Sequence, residues 1–481
     1  MTKKELGTPY IREKVAYFRE RKAGNKMLIT NDAGGYALLN SAAYKKFLAG
    51  SLAANSAEHK SLQKQGFIRD ALDFQALIKK YGQKNYFLKQ GPSLHIIVVT
   101  LRCNHKCLYC HASAGPENNE GLDMAIDTAK MTVDTIFRTT AQNITIEFQG
   151  GEPLLNWGVI KFIIEYSKEK EKIDNKNLQI SLVSNFSLMD DKKLNFLVKN
   201  KVSLCTSLDG PEEIHNKNRF YSAGNSHKNV ITWLKKSDDL YKKKYDICRP
   251  GALTTITKYS LPHSKAIIDQ YVSLGLPKIY LRPLNPFGVA KKTWEQIGYS
   301  IDDFIKFYKK SLNYIISLNL KGKPIQEALA VTFLTKILTD RDPNHMDYRS
   351  PCGAGIGQIA YNYNGDVYTC DEGRMFGRIG DDIFKMGNVK ENSYQELMNS
   401  EVVKSMCIAS CLEAIPGCSD CAHKPYCGVC PVYNYSEQGS IFGQMSTNGR
   451  CKINMAVFDY LFEKMQNKKI EEIFQKWVGA N

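Results

Sequence analysis

The chain has 481 residues of ordinary globular composition, 43% hydrophobic and 24% charged, with a formal net charge of +16. No window approaches the roughly 18 apolar residues of a membrane span, and the charged opening MTKKELGTPYIREK lacks the apolar stretch of a signal peptide. We therefore expect a cytoplasmic protein with reduced thiols and no membrane partner. The basic excess is spread through helical patterns such as YSKEKEKIDNKNLQ rather than gathered in one block, which reads as solvated surface. No nucleic-acid partner is expected, while an acidic peptide would still be attracted.

Residues 15–24, 25–32 and 34–40 read as three short strands, followed by helices at 41–52 and 57–68. From Leu94 a regular alternation begins. Strands are expected at 94–102, 144–151, 178–186, 202–210, 252–258 and 278–284. Helices follow at 124–140, 157–170, 192–200, 229–241, 263–275 and 301–318. These β/α units imply an α/β fold with a parallel sheet inside, and in barrel-like versions the active site lies at the C-terminal ends of the strands. After about Asp340 the periodicity weakens and cysteine, glycine and tyrosine become frequent, as in loop-rich regions held by metal. The expected division is 1–90, 91–340 and 341–481.

The stretch TLRCNHKCLYCHAS places Cys103, Cys107 and Cys110 in Cys-x3-Cys-x2-Cys spacing directly after the first core strand. A complete tetrahedral zinc site normally uses four protein ligands, so three thiols leave one position for something else. Disulfide pairing fits an odd trio poorly. Three thiolates can instead hold three irons of a 4Fe-4S cluster and leave the fourth free for a small chelating ligand.

The second strand ends in FQGGEPLL, where Gly150 and Gly151 permit close backbone approach and Glu152 offers an acceptor to an ammonium. The third and fourth end in SNF and SLDGP. Ser184, Asn185, Ser207 and Asp209 would thus turn polar groups that suit a ribose toward the barrel mouth, although each alone reads equally as a turn or cap residue. The C-terminal third carries Cys352, Cys370, Cys418, Cys421, Cys427, Cys430 and Cys451, for which a zinc ribbon is the plain alternative. Cys205 and Cys248 fit no ligand pattern and read as core thiols. His215 reads as a structural hydrogen-bonding residue.

The cysteine trio, with Tyr109 before its last member and GGEP one helix and one strand later, resembles the signature of the radical S-adenosylmethionine (SAM) enzymes. The resemblance implies a partial (β/α)6 TIM-like barrel whose free iron chelates SAM. The GGEP element would receive the SAM amino group, and Arg219 in EEIHNKNR would pair with its carboxylate. The later cysteines resemble a SPASM domain with two auxiliary clusters, making three 4Fe-4S clusters in all. By that likeness Cys418, Cys421, Cys427 and Cys451 ligate the outer cluster. Cys352, Cys370 and Cys430 hold the inner one, which stays open unless Cys407 or Cys411 closes it. The family pattern usually has x3 where this chain has x2 between Cys427 and Cys430. Asp371, directly after Cys370, matches the position at which anaerobic sulfatase maturases use an aspartate as proton acceptor; a turn cap is the competing role.

The whole chain is similar to the radical SAM maturases of His-Xaa-Ser repeat peptide systems, through YFRERKAGNKMLITNDAGGYALLN, FQGGEPLLNW, SLDGPEEIHNKNR, CGAGIGQIAYNYNGDVYTCDEGRM and KPYCGVCPV. The likeness implies a ribosomally made precursor peptide as substrate. A 5′-deoxyadenosyl radical from SAM would abstract hydrogen from it, leading to an oxidative side-chain crosslink such as a cyclophane. Oxidation of serine or cysteine to formylglycine is the alternative, and a noncatalytic zinc-binding protein the outsider. The electron donor would be a ferredoxin or flavodoxin. The N-terminal module is similar to winged-helix-like elements that bind precursor leaders at a sheet edge, a task some relatives leave to a separate small recognition protein; a structural cap on the barrel is the other reading.

Overall fold

The computed structural model describes residues 10–244 and 250–480; Cys248 lies outside them. Strands β1 (Arg19–Ala23), β2 (Lys26–Thr30) and β3 (Tyr36–Leu39) form an antiparallel meander with β2 in the middle. Helices α1 (Ser41–Leu48) and α2 (Ala57–Lys64) start where the Asn40 and Ser56 side chains accept the backbone N–H three residues on. Val15, Phe18, Ile29, Phe47, Leu62 and Phe67 make this module's own core. A third helix, α3 (Phe74–Lys84), capped by Asp73, has no buried residue and overlaps the lysine-rich helical pattern KKYGQKNYFLKQ at 79–90.

The main sheet contains β4 (Leu94–Thr100), β5 (Asn143–Gly150), β6 (Asn177–Val183), β7 (Ser203–Ser207), β8 (Gly251–Thr255) and β9 (Leu281–Arg282), parallel and in chain order. Helices α4 (Ile126–Ile136), α5 (Trp157–Asp174), α6 (Asp191–Lys199), α7 (Ser226–Lys244), α8 (Ser264–Ser273) and α9 (Ile301–Leu320) alternate with the strands. Strand alternation decides what each face carries. On β5, Ile144, Ile146 and Phe148 join the apolar core with Val133 and Ile136 of α4 and Ile160 and Ile163 of α5. Thr145, Glu147 and Gln149 are therefore left to the concave side.

One expected strand is broken. Lys278–Ile279 pairs with Gln326–Glu327, whereas Leu281–Arg282 pairs with β8. The buried Glu327 carboxylate accepts the Leu281 amide at 3.2 Å and the Tyr308 hydroxyl at 2.5 Å, which anchors the point where the strand changes partner.

Beyond the barrel, β10 (Gln358–Tyr361) lies parallel to the free edge of β4 and continues through antiparallel β11 (Asp366–Tyr368) and β12 (Lys385–Asn388), giving a nine-stranded sheet. The C-terminal segment thus covers an edge that would otherwise expose unpaired backbone groups. Four helices frame the cysteine-rich loops: α10 (Asp371–Gly377), α11 (Glu401–Ser410), α12 (Pro431–Gln438) and α13 (Gly449–Lys464). The N-terminal module seats on this C-terminal region. Arg21 makes two 2.7 Å bonds to Asp459, and Thr30 donates to the Ala422 carbonyl at 2.7 Å. Among the described residues no helix is long and apolar enough to cross a membrane.

Candidate active site and cluster-binding cysteines

Cys103, Cys107 and Cys110 sit on the loop after β4, at the C-terminal end of the sheet. Backbone hydrogen bonds tie this loop to the end of β5: Gly151 N–H donates to the Thr100 carbonyl at 2.9 Å and Glu152 N–H to the Arg102 carbonyl at 2.7 Å. Only glycine allows that approach. A Cβ on Gly150, at φ +140°, would lie 2.1 Å from the Thr100 oxygen, and one on Gly151 2.0 Å from the Arg102 oxygen. On its other side the loop is held by a two-residue antiparallel ladder, Lys106–Cys107 against Arg219–Phe220.

Arg219 lies within 3.8 Å of the Cys107 sulfur, 3.3 Å from Asp209 and 5.1 Å over the Tyr109 ring. The neighbouring acidic groups keep its guanidinium firmly protonated despite burial. Asp209 is fully buried: it accepts the Tyr109 hydroxyl at 2.6 Å and the Thr255 amide at 3.1 Å. Its bonds to Tyr109 and Arg219 hold both beside the cysteine loop. Ser184 is buried as well. Its hydroxyl donates to Glu152 at 2.7 Å, because the fully buried Glu152 carboxylate needs donors and also takes the Asn185 and Leu154 amides. Asn185 stays half-buried near the trio, its amide 2.9 Å from His105, and Ser207 is half-buried at the end of β7. His215 accepts the Asp209 amide and shares Ser226 with His105, as its structural reading anticipates.

The C-terminal thiols form two groups. Cys418, Cys421, Cys427 and Cys451 line one cavity of about 260 Å³, which Cys430 also borders. Cys352, Cys370 and Cys430 are buried together with Met406, Phe287 and Tyr433. Cys370 and Cys430 cap α10 and α12, accepting the Gly373 and Tyr433 amides at 3.3 and 3.4 Å, so two helix N-termini face those sulfurs. Cys407 and Cys411 stand apart. Cys411 points to Glu413 at 3.3 Å, and α11 turns Met406 toward the inner trio.

Asp371 opens α10 beside Cys370 and is paired with Arg374 at 2.8 Å. Several charged groups here were not singled out from the sequence: Glu147, Arg282, Asp347, Glu372 and Arg450. Arg450 pairs with Asp347 at 3.2 Å, and Arg282 lies 3.8 Å from Glu372. For Glu147 a signal existed, since strand alternation puts it on the face opposite Ile146 and Phe148. Cys205 also belongs to that concave face: it is only half-buried, and burial beside Glu147 pushes its thiol up to about 12. The expectation of a plain core thiol is corrected accordingly.

The donor sets fit iron–sulfur clusters. Burial and mutual repulsion push the Cys103 and Cys107 thiols up, Cys107 to about 12, and a bound metal group would offset that cost by taking the thiolates as ligands. The cavity lined by Cys418, Cys421, Cys427 and Cys451, with Cys430 at its border, has both the soft ligands and the room that a cluster requires.

Comparisons with known proteins agree. The model of the radical SAM superfamily matches residues 97–246, and that of the SPASM iron–sulfur cluster-binding domain matches 352–431. An uncharacterized protein of Methanocaldococcus jannaschii is 31% identical over 231 residues, 48% of this chain and 75% of that one. A cysteine-type anaerobic sulfatase-maturating enzyme of Clostridium novyi is 27% identical over 345 residues, 70% of this chain and 86% of the relative. In fold the chain is similar to Streptococcus suis SuiB bound to its precursor peptide SuiA, with TM-score 0.53 and 13% identity over 91% of this chain and 98% of that one. The chain belongs to the radical SAM superfamily and carries a SPASM domain, with SAM, a SAM-binding 4Fe-4S cluster and auxiliary clusters as its cofactors.

Proposed function

We propose that this enzyme matures a ribosomally made precursor of the His-Xaa-Ser repeat type by oxidatively joining side chains within it. One observation carries the reading. The concave face bearing Glu147 and Cys205 is continuous with Asp371, whose negative charge acts on Glu147, and Asp371 directly follows Cys370 of the inner trio. A side chain entering the barrel would thus lie between the cysteine loop after β4 and the inner trio.

SAM with its cluster supplies hydrogen-atom abstraction from carbon, and the chain's own groups do the rest. Cys103, Cys107 and Cys110 would hold the SAM cluster. Arg219 would offer its remaining N–H groups to the SAM carboxylate, while Gly150 and Gly151 keep the backbone close to the loop. Asp371, kept beside Arg374, would accept the proton released as the substrate is oxidised. Cys352, Cys370 and Cys430 would hold an inner cluster with one iron free of cysteine, and Cys418, Cys421, Cys427 and Cys451 the outer one. The module at 1–90 would bind the leader along an edge of its three-stranded sheet, within a division at 91–340 and 341–481. A ferredoxin or flavodoxin would deliver electrons, in the cytoplasm.

Similarity to the sulfatase-maturating enzyme favours a second reading, oxidation of a peptide cysteine or serine to formylglycine. Co-expression with a His-Xaa-Ser repeat precursor, followed by mass spectrometry, tests both. A product lighter by two hydrogens, with fragments joined between residues, supports the crosslink. An aldehyde captured by a hydrazide supports the second reading, and an unmodified precursor defeats the first.

A further inference from the structure

We infer that Glu147 is a specificity-determining residue, whose carboxylate receives an N–H-bearing side chain of the peptide, histidine imidazole foremost, inside the barrel. The inference rests on the proposed reading only in taking the barrel interior as the place where a peptide side chain is oxidised.

Glu147 stands on the concave face of β5, directly opposite Ser181 of β6 in the strand register. Gln149 donates to one carboxylate oxygen at 2.5 Å and Ser181 to the other at 3.1 Å. These neutral donors fix the group's orientation and leave lone pairs on both oxygens, since a carboxylate has about four acceptor positions. Asp209 has Arg219, Asp371 has Arg374, Asp347 has Arg450, and Glu372 has Arg282 nearby. Among the described residues no ion pair joins Glu147 to any lysine or arginine. Among them Glu152 and Glu327 also lack a cation, but both are fully buried and taken up by backbone amides and a hydroxyl, whereas Glu147 is only half-buried on the concave face.

A half-buried carboxylate served only by two neutral donors keeps acceptor capacity for a further N–H. Burial and the nearby Asp371 both push the Glu147 carboxyl up, so the site gains when a donor arrives. The Cys205 thiol, at the position paired with Val183 one step along the neighbouring strands, completes a polar patch on an otherwise apolar scaffold. A donor in this patch would be fixed about the carboxylate, with the SAM end of the strands beyond it.

The test uses holoenzyme carrying its clusters, with SAM present and no reductant, so that binding is read without turnover. An mRNA-displayed library of random peptides is panned against the wild type, Glu147→Gln and Glu147→Asp. Unchanged iron content and SAM affinity show that each variant is folded and loaded. Wild type should enrich peptides bearing histidine, or lysine and arginine after it, over apolar counterparts by at least about tenfold. Glu147→Gln should lose that preference and Glu147→Asp keep part of it. Identical preferences in wild type and Glu147→Gln, or a wild type that selects apolar or acidic side chains, overturn the inference. If N–H side chains are enriched without any His-Xaa-Ser spacing, the assignment of Glu147 stands and the proposed substrate class falls.

Discussion

A methyl group on Gly151 would sit 2.0 Å from the carbonyl oxygen of Arg102, the residue before Cys103. Backbone cannot yield as a flexible side chain does, so Gly151→Ala must push the cysteine loop away from β5. We expect this variant to lose the iron of the SAM-binding cluster and its SAM affinity while keeping the C-terminal iron. Iron quantification with SAM-binding measurements checks this, and a fully loaded alanine variant would show that the loop can move. The two glycines were legible because GGEP follows a strand that must approach the cysteine loop. The hydrogen bonds that Ser184 and Asp209 make within the chain were not legible, for an equally physical reason. A strand end reveals that a polar group is present, but whether it faces a ligand depends on which buried neighbour needs its hydrogen bond, and here Glu152 and Arg219 do.

Helix α11 shows how one residue of phase changes a chemical conclusion. Val403, Met406 and Ala409 are buried, and Met406 packs with Cys352, Cys370 and Cys430, so Cys407 is carried past the inner site and Cys411 emerges beside Glu413. Cys407→Ser and Cys411→Ser should therefore retain the full iron complement, whereas Cys430→Ala should lose about one cluster's worth. Loss of iron in either serine variant would close the inner site. The sequence offered all these cysteines but not the helix phase between them. Strands β4 to β8 were legible because each is an apolar run ending in turn residues, while β10 escaped notice because it pairs with a strand more than 250 residues earlier. That junction carries a pH dependence. His95 of β4 is fully buried, bonded to the Pro92 carbonyl and to Tyr361 of β10, and burial pushes its imidazole down to about 4. An unfolded histidine protonates near 6.5. Between about pH 6.5 and 4 the unfolded chain thus binds a proton that the folded chain excludes, and stability falls as pH falls through that window, by about 2 kcal/mol at pH 5. The protection factors of β4 and β10, corrected for the intrinsic pH dependence of amide exchange, should fall from pH 7 to pH 5, and His95→Gln should blunt the change; an equal fall in the variant assigns it elsewhere.

At the scale of the whole molecule, the first residues of the chain meet its last cysteines. The sequence suggested a separate α+β module, and the core of Phe18, Phe47 and Phe67 gives it one, but nothing local could reveal its seat, since Arg21 and Asp459 are 438 residues apart. That seat is polar and specific. Arg21 holds both oxygens of Asp459, which also bonds His423 at 2.9 Å, and His423 stands two residues beyond Cys421. Lys424 of the same loop reaches Asp32 at 3.1 Å, and Arg19 donates to the Ser419 carbonyl at 2.6 Å. Strand β1 and the outer cluster loop consequently share one hydrogen-bonded network, and an Arg21→Glu substitution would set a carboxylate against Asp459 in its place. Losing charge-assisted bonds of this kind typically costs 1.5 to 3 kcal/mol, so amide exchange in β1 and in residues 418–427 should rise by about tenfold or more. The outer cluster should also lose iron to a chelator faster than in the wild type, while SAM affinity, set at the far end of the barrel, stays unchanged. Unaltered exchange and unaltered iron loss would show that apolar packing alone seats the module and that its contact with the cluster loop is incidental.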